Sequence, residues 1–216
     1  MKGTHVKSTR VRVILAVAAA GVALTACSPS QAGAAAIVGK DRISAGELDK
    51  NVREYEAALA KANVSASQLQ FPGSVPQVVL FQLATSAQRA KVAESKGVTV
   101  TEAEIDQVIS SGEGGAAGYE QQMLQQAVAP SKVREFTRAS LLITKLMAKY
   151  GGGTDEAAIQ KGQAQVIKDL QSVPITWNPR YGTINEQRSE QQPNLFVESA
   201  RFGAVPAAPP AAPPQQ

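Results

Sequence analysis

The chain has 216 residues, 44% hydrophobic, 5% aromatic and 19% charged, which suits one globular domain with excess at the ends. Its net charge of +4 does not indicate a nucleic-acid partner: residues 1–26 hold Lys2, Lys7, Arg10 and Arg12 and no acid, and the remainder carries as many bases as acids. The only histidine is His5 and the only cysteine is Cys27, so the rest of the chain lacks imidazole acid–base groups, thiol nucleophiles and His- or Cys-ligated zinc.

Residues 1–12, "MKGTHVKSTRVR", are basic, and residues 13–26, "VILAVAAAGVALTA", are apolar. That apolar run falls short of the ~20 residues a membrane-spanning helix needs, and it reads as a signal peptide over residues 1–26. Its end, "LTAC", resembles a bacterial lipobox: Leu24, then the small Thr25 and Ala26, then Cys27. A thiol is the group that lipoprotein maturation alkylates with a diacylglyceryl moiety, and small residues before it let a peptidase close over the bond. Further acylation, by palmitate for example, gives two or more chains and stable anchoring at about 0.8 kcal/mol per buried methylene. The expectation is a lipoprotein on the extracytoplasmic face of the cell membrane, with residues 27–35 as a lipidated tether.

Residues 36–44, "AIVGKDRIS", read as a short strand-turn around Gly39-Lys40-Asp41. Ser44 and Glu47 form a capping box that opens a helix with the apolar stripe Leu48, Val52, Tyr55, Leu59 and Ala62. Residues 63–74 read as a connecting loop that leaves Leu69 and Phe71 exposed-looking. Ser74, Pro76 and Gln77 start a second helix that Gly97 stops, with Val78, Val79, Phe81, Leu83, Ala84, Ala87 and Ala90 on a broad face. Thr101 and Glu104 cap a third, with Ile105, Val108 and Ile109 inward. Glu102, Glu104 and Asp106 sit where the helix dipole favours acids.

"GEGGAAG" (112–118) has no following Lys-Ser/Thr, so it reads as a flexible connection rather than a phosphate cradle. A short helix around residues 119–127 follows. Pro130-Ser131 opens a long helix to Tyr150, with Val133, Phe136, Ser140, Ile143, Met147 and Tyr150 on one face and Gly151–Gly153 as its stop. Residues 154–173 form another helix presenting Ile159, Val166 and Leu170, which Gly162 weakens by up to ~1 kcal/mol. Residues 174–186 read as a strand. Residues 187–216 turn polar and then Pro/Ala-rich, a disordered tail favouring extended polyproline conformation. The fold class is mainly α: an open bundle of about five to six helices with a small pairing of N- and C-terminal β-strands.

This order of elements resembles the N-terminal chaperone domain of the SurA/PrsA-type foldases, over residues 36–186. The family's opening reads "VNG-x-x-I-(S/T)-x-x-(E/D)-(L/F)"; this chain keeps Val38, Gly39, Ile43, Ser44, Glu47 and Leu48 but lacks the Asn. "KGVTVTEAEID" matches the family's step between helices, and "NPRYG" (178–182) looks like the C-terminal strand that returns beside the first. Many members also carry a parvulin prolyl isomerase domain. Between Tyr150 and Trp177 this chain has no room for one and no histidine, so a chaperone module without isomerase activity is expected, and not an enzyme.

The function that follows is a membrane-anchored chaperone whose helices form an apolar cradle for unfolded or partly folded secreted proteins. Candidate client contacts are Leu69, Phe71, Tyr119, Met123 and Leu124, which lie on loops or short elements where core burial is least assured. Met suits such a surface, being flexible and polarizable; the alternative for each residue is simple core packing. The competing function is a structural lipoprotein dedicated to one cell-envelope partner. No cofactor, metal or nucleic-acid partner is expected.

Overall fold

In the computed structural model, which describes residues 32–198, the chain enters as a strand, β1 (Ala34–Val38). The signal peptide with Leu24, Thr25, Ala26 and Cys27, and residues 199–216, lie outside the described residues. β1 forms an antiparallel hairpin with β2 (Asp41–Ser44), Val38 facing Asp41. Gly39 closes the turn at φ +62°, a region side-chain-bearing residues rarely adopt. Ala34, Ala35 and Ala36 are buried, so the end of the expected tether is strand instead.

A distant segment completes this sheet. β3 (Ile175–Trp177) runs antiparallel to the other edge of β1, with Ala36 opposite Trp177 and Val38 opposite Ile175. Asn178 fastens the join: its backbone N–H donates to Ala35 O at 3.0 Å and its Nδ2 to Ala34 O at 2.6 Å. The "NPRYG" segment is therefore an anchor and turn rather than the returning strand. Pro179–Tyr181 forms a single 3₁₀ turn, for which proline's fixed φ and missing N–H are suited. β4 (Thr183–Ile184) then pairs with β5 (Phe196–Val197). The fold thus continues well past residue 186, because Phe196 is buried edge-on against Trp177, with ring centroids 5.2 Å apart.

Six α-helices lie between these strands. α1 (Ala45–Lys61) is capped by Ser44, whose Oγ accepts the Glu47 N–H at 3.0 Å, and buries Leu48, Asn51, Tyr55 and Leu59. Ala62, expected on that stripe, is its exposed C-cap. α2 (Val75–Ser95) and α3 (Glu102–Ser111) start at the Ser74–Gln77 and Thr101–Glu104 capping boxes. α4 (Gly115–Gln125) begins inside the glycine-rich stretch, so the connection is shorter than expected. α5 (Val133–Gly151) follows a 3₁₀ turn at Pro130–Lys132, and α6 (Glu156–Gln171) is capped by Asp155.

α2 runs through two cores. In the first it meets Leu48, Tyr55 and Leu59 of α1 and the alanines of β1; in the second its Val92 and Ala93 meet Ile105, Leu142, Leu146 and Val166. The buried line of α5 is Val133, Thr137, Leu142 and Leu146, while Phe136, Ser140, Ile143, Met147 and Tyr150 are only half-buried. The reason is that α5 is covered from two sides, by α2 with α3 and by α6, so its most enclosed line falls between two flanks. Where α5 and α6 cross, their backbones touch. A Cβ on Gly162 would lie 2.0 Å from Met147 O, and one on Gly151 would lie 1.8 Å from Ala158 O. Gly162 weakens the isolated helix but permits this approach.

α5 also carries a basic row that clamps the α2–α3 connection. Arg134 pairs with Glu102 and Asp106 at 2.6 Å each, Arg138 with Glu102, and Lys145 with Glu104 at 2.5 Å. Lys149 Nζ donates to Lys96 O at 2.7 Å. The acids at the start of α3 are engaged in holding the fold.

Candidate functional site

Side chains four apart share a face of a helix, while adjacent ones diverge. On α4 that rule separates Tyr119 and Met123 from Leu124. Met123 is 3% exposed and packs with Val128 and Val133, so it is a core residue and not a surface contact. Tyr119 is half-buried, its hydroxyl 2.9 Å from Thr137 Oγ1 in the interior. Gln121 and Gln125 are exposed, and Leu124 lies half-buried between them against the first core.

Leu124 edges a groove of about 450 Å³ between α1 and α4, walled by Ala58, Lys61, Ala62, Gln121 and Pro130. Ala62, Gln121 and Leu124 also line a smaller space of about 40 Å³ with Leu59, Val64, Leu69 and Gln125. Gln125 in turn borders a third groove of about 260 Å³, with Phe71, Pro72, Phe81, Gln126 and Leu195. The first two spaces share three walls, and Gln125 stands between the second and the third. Leu69 and Leu124, from separate parts of the chain, therefore line one space and Phe71 the next groove across Gln125, a row of adjoining hollows that makes a broken trough; Tyr119 and Met123 line none of them.

The walls are held from below. Leu69 ends a 3₁₀ turn (Ala66–Leu69) capped by Ser65 and Gln68, and rests half-buried on the first core rather than lying loose. Phe71 leans on Tyr55, with centroids 6.2 Å apart and planes tilted by 54°. The buried Tyr55 hydroxyl donates to Leu124 O at 2.7 Å, joining α1 to the end of α4. Burial pushes its pKa up, so it remains a neutral donor. Beside Pro130, Ser131 donates its N–H and Oγ–H to the Glu54 carboxylate at 2.6 and 2.7 Å. At the far end the Leu195 N–H donates to Pro72 O at 2.6 Å, and Gln77 Nε2 to Tyr181 O at 2.8 Å.

Glutamines mark the rim: Gln82, Gln121, Gln125 and Gln126 all border the trough. Gln82 Nε2 donates to Gln126 O at 2.8 Å, which fixes part of the wall. A primary amide both donates and accepts, so an apolar floor with an amide rim can satisfy an extended backbone whatever its side chains. The sequence reading missed these residues; the doubled glutamines in "EQQMLQQA" are the signal for Gln121, Gln125 and Gln126, and Gln82 has none.

The SurA-like N-terminal domain family matches residues 3–147. The chain belongs to that family. No curated protein and no solved structure matches it. The matched residues include the trough walls from α1 to α4; Leu195 lies beyond them. Among the described residues no helix is long and apolar enough to cross a membrane, and no cluster of His, Cys, Asp and Glu could hold a metal ion.

Proposed function

We propose that the protein is a membrane-anchored extracytoplasmic chaperone without prolyl isomerase activity. Lipid on Cys27 holds it at the membrane, and its trough takes extended apolar segments of unfolded or partly folded secreted proteins. Membership of the SurA-like family supports a chaperone-type reading. The observation that carries the client site is that Leu69, Phe71 and Leu124 line adjoining hollows rimmed by glutamines. Such a surface discriminates little between sequences: the apolar floor rewards any burial, at roughly 25 cal/mol per Å².

The test is aggregation of two unrelated denatured proteins, followed by light scattering with the chain from Ser28 onward and albumin as control. Suppression of both beyond albumin is the expected result. No effect on either would refute the holdase and favour a lipoprotein dedicated to one envelope partner. The anchor is tested separately: Cys27→Ala should move the protein out of the membrane fraction and abolish incorporation of a labelled fatty acid.

A further inference from the structure

The third groove of the trough ends on the chain's own C-terminal segment. Leu195 is one of its walls, and the chain leaves the described fold three residues later, at Glu198. Beyond it the sequence reads "SARFGAVPAAPPAAPPQQ", in which Pro206-Ala-Ala-Pro209 is followed directly by Pro210-Ala-Ala-Pro213. A polyproline helix has three residues per turn, so the prolines of each four-residue unit fall on one face. We propose that residues 205–214 dock in this groove in cis, as a polyproline helix.

Three features of the groove fit that occupant. Its apolar walls are Phe71, Pro72, Phe81 and Leu195, and aromatic-lined grooves are the surfaces that receive such segments. The aromatic wall is braced from behind: Trp177 stacks on Phe81 with centroids 6.1 Å apart and planes within 10°, and Phe196 meets Trp177 edge-on. Gln125, Gln126 and Arg188 supply side-chain N–H donors at the groove, and a proline-rich segment has carbonyl acceptors in excess, since proline has no N–H.

Reach is sufficient. The residues between Glu198 and Val205 can span about 23 Å when extended, and Gly203 among them permits the chain to reverse. A short tether gives a local concentration in the ~mM range, so a contact of only mM affinity is substantially occupied. The polyproline conformation is favoured before docking, which lowers the ordering cost. A client entering this end of the trough must displace the segment. The docking does not depend on client binding; the competition rests on the chaperone reading.

The test compares the chain from Ser28 with the same chain stopped after Glu198, by amide NMR and by the emission of Trp177, the only tryptophan. Removing the segment should shift the amides of Phe71, Phe81, Gln126 and Leu195. A synthetic peptide of residues 205–216 should restore those positions saturably in the shortened chain, and the peptide with Pro209→Ser and Pro210→Ser should not. The full chain, already occupied, should need at least about threefold more peptide for the same response. Shifts confined to the residues beside Glu198, an equal peptide response in both chains, or an equal effect of the substituted peptide would overturn the docking. Greater suppression of aggregation by the shortened chain would establish the competition. Groove shifts with no suppression by either chain would refute the chaperone reading and leave the docking standing.

Discussion

Replacing Gly162 by alanine sets two opposed effects against each other at the α5–α6 crossing. Alanine favours a helix interior over glycine by ~1 kcal/mol, so an unobstructed site would be stabilised. Here the new Cβ would stand 2.0 Å from Met147 O, 2.7 Å from its carbonyl carbon and 2.9 Å from its Cα. These are backbone atoms of α5, and no rotamer change relieves the overlap. The helices would have to separate, loosening the contacts among Leu142, Leu146 and Val166 that join them. Overpacking costs ~1–3 kcal/mol, and a backbone overlap of this kind belongs at the upper end, so after the propensity gain a net loss of about 2 kcal/mol is expected. For a domain of this size that lowers Tm by roughly 4–8 °C. Gly46→Ala is the control: it lies in the first turn of α1 with nothing within 4 Å of the new Cβ, and should be neutral or stabilising. Urea midpoints at unchanged m decide the matter. A Gly162→Ala protein as stable as the parent would mean that α5 and α6 do not touch backbone to backbone there.

Tyr55→Phe removes the bond to Leu124 O, which keeps the Ala127 N–H at 3.1 Å; a loss of about 1 kcal/mol and faster hydrogen exchange at the end of α4 are expected, and unchanged exchange would refute the joint. The Lys145 ammonium and then Thr101 hold the Glu104 carboxyl down from 4.5 to about 2, and the Tyr150 hydroxyl holds Asp169 low as well. The stability these groups contribute is complete above their unfolded pKa and is lost as pH falls through the folded one. The urea midpoint should therefore drop between pH ~4.5 and ~2. Glu104→Gln should flatten part of that drop, and an identical profile would show that the pair contributes nothing. Met123→Ala, in the core, should cost about 2–5 kcal/mol. Leu124→Ser, one residue on, should weaken aggregation suppression severalfold with a much smaller stability loss; equal behaviour of the two variants would remove the distinction between the faces of α4.

The sequence by itself determined where the helices begin. Ser44, Ser74 and Thr101 each bond to a group three residues on, and that chemistry is complete within one turn. Leu69, Phe71 and Leu124 could be named from it as candidates, but not as neighbours, and not apart from Met123. Only the tertiary structure decided those points. Leu124 lies half-buried on the first core at the edge of the trough, and Met123 is enclosed in the interior, because Tyr55 holds the end of α4 from α1 while Val128 and Val133 cover its other face. The buried line of α5 is set by helices on two sides, which a single apolar periodicity does not report. The return of residues 187–198 was hidden by their polarity, since only Leu195, Phe196 and Val197 interrupt it and their partners, Pro72, Trp177 and Thr183, are remote or unmarked in sequence. Capping is a local equilibrium that a few residues settle among themselves; burial depends on which distant surfaces arrive, and that is a property of the assembled chain.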